Sequence, residues 1–79
     1  MSRPAPKLRT LDVRPLLARG EEPFATITAT VDALAPGEGF AVIAPFLPAP
    51  LIEAMRHAGF SARPERQHDG AWKVFFSRD

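Results

Sequence analysis

The chain has no cysteine and no tyrosine, and only one tryptophan and two histidines among its 79 residues. Without cysteine there can be no disulfide, no thiolate-bound zinc or iron–sulfur cluster, and no thiol nucleophile. Concentrated charge is missing too. Ten Lys and Arg stand against nine Asp and Glu, a formal +1, and they are spread along the chain, which argues against a nucleic-acid footprint. No apolar run approaches the roughly 18 residues that a membrane-crossing helix needs. The opening "MSRPAPK" lacks the apolar stretch of a secretory signal, so a bacterial cytoplasm is the expected compartment.

What is present is a globular composition, 46% hydrophobic, punctuated by nine prolines. A chain this short builds one core, and it hides only about 60% of its unfolded surface on folding, so its stability lies near the low end of about 5–15 kcal/mol. Residues 1–7 carry two prolines and little to bury, and are expected to form a disordered arm. Residues 8–78 then make a single domain.

"KLRTLDV" alternates, with Leu11 and Val13 on one side and Thr10 and Asp12 on the other, as a strand does. "RPLLARGE" reads as a connection, Pro15 stopping the strand and Gly20 loosening the approach to the next element. "PFATITATVDAL" is contested. Its threonines favour a strand, but Phe24, Ile27, Val31 and Leu34 fall on one helical stripe. Three helical threonines cost about 0.5 kcal/mol each, whereas a strand would strand Phe24 and Leu34 on the threonine face at about 1.5–3 kcal/mol apiece, so the arithmetic predicts a helix. Pro23 suits its first position, and Glu21 and Glu22 suit the positive end of its dipole.

"FAVIA" at 40–44 is a continuous apolar run that predicts a central strand. A proline-rich break follows, and "PLIEAMRHAGF" predicts a second helix with Leu51, Met55 and Ala58 on one stripe and Ile52 beside it, Glu53 placed to pair with His57, and Gly59-Phe60 as its stop. "FSARPERQ" and "AWKVFFSR" flank Asp69-Gly70, a pair favoured in two-residue hairpin turns, and Pro64 assigns the first of these strands to an edge. The order β-α-β-α-β-β, with right-handed crossovers, predicts an α/β two-layer sandwich: a four-stranded mixed sheet with both helices on one face. Phe75 beside Lys73 makes the other face partly apolar, a possible homodimer surface.

Chemistry-bearing residues are few. His57 and His68 lie on different elements and do not have metal-ligand spacing, so no metal is expected. Arg14 and Arg19 bracket the loop before the first predicted helix and could hold a small anion beside its free N–H groups. Against that, Glu21 and Glu22 would repel an anion and could pair with these arginines, and Asp12 could anchor Arg14. No Ser/His/Asp set, phosphate-cradling glycine loop or paired carboxylates appear.

The ordered pieces "LDVR", "EEPFATI", "LAPGEGFAVIAPFLPAPL" and "AGF" together resemble the TusA-like (SirA-like) superfamily of small sandwiches, and most closely a branch known only as a domain of unknown function. The resemblance spans about residues 11–78. The superfamily's sulfur carriers have a Cys-Pro-x-Pro motif at the first helix; with its second proline on Pro23, its cysteine falls on Gly20, so no persulfide can be carried here. In the closer branch a histidine before the helix-opening proline and a His-Asp pair before the second helix would suit a metal or small ligand. The matching positions here are Glu22 and Phe46-Leu47, which breaks that ligand set. Relatives joined to hemerythrin-like di-iron bundles imply a redox partner protein.

The expectation is therefore a non-catalytic binding or partner-docking module without cofactor, its candidate site residues Arg14, Arg19, Glu22 and Phe46. The alternative is an accessory subunit of a redox or sulfur/nitrogen-oxide enzyme whose reactive group comes from another chain. RNA binding is disfavoured by the near-neutral charge and by aromatics placed for a core.

Overall fold

The computed structural model describes residues 8–78; the arm expected at 1–7 lies outside them. The element order is β1 (Leu8–Asp12), α1 (Arg14–Ala18), α2 (Phe24–Asp32), β2 (Gly39–Ala44), α3 (Ala49–His57), β3 (Ser61–Arg66) and β4 (Trp72–Ser77). The sheet runs β1-β2-β4-β3. β2 pairs in parallel with β1 and antiparallel with β4, and β4 pairs antiparallel with β3. This is the expected four-stranded mixed sheet with "FAVIA" at its centre and the Pro64 strand at an edge.

Register explains the core. Phe40 lies opposite Phe76, Val42 opposite Val74, and Leu11 beside Val42, so one set of alternate residues lines one side of the pleat. Phe40, Val42, Val74 and Phe76 are all fully buried. Phe40 stacks on Phe76 at 4.9 Å and meets Phe60 edge-on at 5.5 Å. Ile27 from α2 and Leu51, Ile52 and Met55 from α3 join that same cluster. Both longer helices thus contribute to the core made by this set of strand residues.

Three details depart from the sequence reading. The stretch read as a connection contains the extra helix α1. It ends as helices often do, with Gly20 at φ 75°, its N–H donating to the Leu17 carbonyl and that of Glu21 to Leu16. The same stop closes α3, where Gly59 and Phe60 donate back to Arg56 and Met55 and Phe60 is buried. Secondly, the hairpin does not turn on Asp69-Gly70 alone. Gly70 donates to the Gln67 carbonyl and Gln67 to Ala71, and Gly70 has positive φ while, among the described residues, no non-glycine residue does. A two-residue type I′ turn needs positive φ at both positions, so the loop lengthens to His68-Asp69-Gly70 with a bulge.

The third concerns α2. It is a helix, as expected, and one of its threonines is accommodated by the Thr30 hydroxyl donating to the Thr26 carbonyl at 3.0 Å. Its stripe loses one member. Ile27 is buried, and Val31 and Leu34, the latter just past the helix end, pack against the core, but Phe24 is 47% exposed. Pro23 is the N-cap rather than the first helical residue, its carbonyl accepting from Ile27 at 3.1 Å.

An apolar cleft and an arginine staple as candidate site

Beyond the carboxyl ends of β1 and β2, α1 and the first residues of α2 and α3 surround a cleft of about 210 Å³. In open sheets with parallel strands, ligands commonly bind at this end. Val42 and Ala44 form its floor, Val13 and Leu17 one wall, Pro23, Phe24 and Ile27 another, and Phe46, Pro48, Pro50 and Leu51 the last. All eleven are apolar residues. Proline placement explains why this corner stays open. Pro45 and Pro48 break the chain after β2 until α3 begins, and Pro50 stands in the first turn of α3, where its missing N–H costs no helical bond. Phe46 and Leu47 are left 55% and 43% exposed there. With Phe24 they are the exposed large hydrophobic residues among those described, and two of the three line this cleft.

A wider depression of about 420 Å³ lies over β3 and β4, lined by Ser61, Arg63, Glu65, Phe75 and Ser77 among others. Arg63 approaches Glu65 at 3.5 Å, and Lys73 Nζ sits 5.1 Å from the Phe75 ring centre. These contacts set a cation over the open-face aromatic and leave a surface that mixes charged and apolar groups.

The sequence-derived site residues do not gather in one place. Arg14 staples the end of β1 to the hairpin. Its Nε and Nη2 donate to the two carboxylate oxygens of Asp12 at 2.9 and 2.7 Å, and its Nη1 donates to Asp69 at 3.0 Å. The backbone N–H of Arg14 also donates to Asp12, and that of Ala71 to Asp69. Arg19 instead donates to Glu21. Both guanidinium groups are therefore engaged by carboxylates of the chain, as in the pairing alternative, and each by a different set. Glu22 accepts the Phe24 N–H at 2.9 Å, which ties it to the positive end of α2. Of the four, Phe46 lines the cleft and Glu22 adjoins its Pro23 wall. Phe24, assigned to the core by its stripe position, is the cleft residue that sequence reasoning missed.

His57 and His68 are exposed and lie on different elements. The partner expected for His57 goes elsewhere, Glu53 approaching Arg56 at 3.6 Å. Among the described residues no three His, Cys, Asp or Glu side chains converge as a metal would require, and no helix is long and apolar enough to cross a membrane.

The staple carries a pH signature. Hydrogen bonds from the Arg14 side chain hold the Asp12 carboxyl below its ordinary value. The Ala71 N–H, assisted by Arg14, does the same for Asp69. Because both are depressed in the folded state, their contribution is fully present above the unfolded value of about 3.9 and is lost as pH falls through the lower folded values. The urea-midpoint gap between wild type and Arg14→Ala is thus expected to be constant from pH 5 to 7 and to close below about pH 4. Equal midpoints at pH 7 would show that the staple adds nothing. These groups are exposed, so high salt shrinks the gap.

The fold and cleft define a small α/β domain with an apolar corner whose lining side chains carry no reactive group. A family model described as "Uncharacterized conserved protein (DUF2249)" matches residues 10–78, and the chain belongs to that family. No curated protein and no solved structure matches the chain.

Proposed function

We propose that the chain is a non-catalytic, TusA-like binding module that docks a partner protein through the cleft between the starts of α2 and α3. The carrying observation is the coincidence of an all-apolar lining with exposed Phe24 and Phe46 at the same corner. An interface core is apolar, aromatic-rich and depleted of charge, and this corner has that composition. Its lining offers no acid, base or nucleophile, and the position matching the sulfur-carrier cysteine is Gly20. The open sheet face is the weaker surface, since its Phe75 is partly covered by Lys73.

A photo-crosslinking amino acid at position 46 tests this reading in the native cell, with the same group at Glu65 on β3 as the control. A discrete, higher-mass adduct is expected from position 46 and not from 65; crosslinks of equal pattern at both positions, or none at 46, would remove the docking site. The absence of a reactive group favours a second reading, that of an accessory subunit to a redox or sulfur/nitrogen-oxide enzyme. A crosslinked partner carrying a redox cofactor, such as a hemerythrin-like protein, would support it.

A further inference from the structure

We infer that the cleft is built for a protein segment that inserts one large aliphatic or aromatic side chain and sets a lysine or arginine beside it, against Glu22. This rests on the docking reading above and adds the chemistry of the partner.

Size limits the insertion. A cavity of about 150 Å³ holds a benzene ring, so about 210 Å³ takes a single ring or branched side chain. The lining also decides between a free small molecule and a protein. Small-molecule sites orient their ligands with a few placed polar groups, and the side chains lining this cleft supply none. The apolar surface continues outward over Phe46 and Leu47, giving a flanking contact that a lone ring in the cleft would not use but a protein segment would.

Charge at the rim selects the flanking residue. Of the arginines nearest this corner in the chain, Arg14 is neutralised by Asp12 and Asp69, and Arg19 by Glu21. Among the described residues Glu22 has no cationic partner. It is held in place by the Phe24 N–H, next to Pro23 of the wall. A basic side chain arriving with the anchor meets an oriented, unneutralised carboxylate, which gives specificity and a faster encounter. The same charge disfavours a second copy, because a two-fold contact centred here would bring two Glu22 carboxylates together.

A phage-displayed library of randomised 12-residue peptides tests this against the whole folded chain, with four baits: wild type, Phe46→Ala, Glu22→Gln and Glu22→Lys. Phe46 and Glu22 are exposed, and glutamine preserves the acceptor for the Phe24 N–H, so the neutral bait keeps the cap. Peptides retained by wild type are expected to share one Leu, Ile, Phe or Trp with Lys or Arg within four positions, and to lose at least tenfold in retention on Phe46→Ala. Glu22→Gln is expected to erase the basic preference and Glu22→Lys to convert it to an acidic one.

Phe46-dependent peptides without any charge bias, or with a bias that both Glu22 substitutions leave intact, overturn the inference and leave the docking reading standing. Recovery of no Phe46-dependent peptide overturns it as well. In that case a Phe46-dependent dimer in sedimentation identifies a second copy as the occupant, and a monomer that binds the fluorescent probe anilinonaphthalene sulfonate in a Phe46-dependent way identifies a small apolar ligand.

Discussion

Phe40→Ala is expected to cost about 3–5 kcal/mol and to leave the domain marginally folded or unfolded at 25 °C. Phe40 is fully buried on the central strand. Removing its ring leaves a void bordered by Phe76 and Phe60, which lose a stacked and an edge-on neighbour together. The surroundings cannot collapse into that void, because Phe40 lies opposite Phe76 within the ladder and the backbone there is held from both sides by β1 and β4. A domain of this size has a total stability near the low end of about 5–15 kcal/mol, so the loss is comparable to the whole. Urea unfolding followed by circular dichroism measures it. Phe40→Leu should lose less, since most of the volume remains. A cost for Phe40→Ala below about 1.5 kcal/mol would mean that the aromatic cluster does not hold the sheet to the helices.

The second large effect separates two residues of one predicted stripe. Ile27→Ala is expected to cost about 2–5 kcal/mol, because Ile27 is the one buried residue of α2 and anchors it to the core. Phe24→Ala, one helical turn earlier, should cost no more than about 1 kcal/mol, since roughly half of its ring is already in water. Amide hydrogen exchange across 24–32 distinguishes the two: protection is lost with Ile27→Ala and kept with Phe24→Ala. Retention of cleft-directed peptides should show the opposite emphasis, falling with Phe24→Ala while the fold persists. Equal destabilisation by the two substitutions would place Phe24 in the core, where its periodicity put it.

In α2 the hydrophobic period predicts the helix but not the surroundings of every residue on its stripe. The arithmetic that favours a helix at α2 counts the burial of Phe24 and Leu34; Leu34, just past the helix end, does pack against the core, whereas Phe24 sits at the cleft mouth. Ile27, with Val31 and Leu34 packed against the core, holds the helix without it. Hydrophobic spacing reports which residues share a face and is silent about whether that face meets the core or a groove beside it. Central β2 and edge β3 were legible because apolar continuity and Pro64 act within one strand. The stop at Gly59-Phe60 was legible for a similarly local reason.

The short helix α1 escaped because five residues are too few to display a period, although Pro15 near its start and Gly20 just past its end were both visible. At the candidate site, Arg14 with Asp12 was readable from a spacing of two. Its bond to Asp69 spans 55 residues of sequence and exists only because β4 lies beside β2. Phe46 was reached through family resemblance alone; nothing in its local sequence separates a cleft-lining ring from an ordinary loop aromatic.

One border of the sheet has a consequence for how copies of this chain could stack. β3 carries Pro64 in mid-strand, flanked by Arg63, Glu65 and Arg66, so it presents an interrupted and charged template to an incoming backbone. The opposite border, β1, has no such interruption. Were copies to pair edge to edge, the described strands would confine the contact to the β1 rim, a contact that closes in a pair and would not propagate.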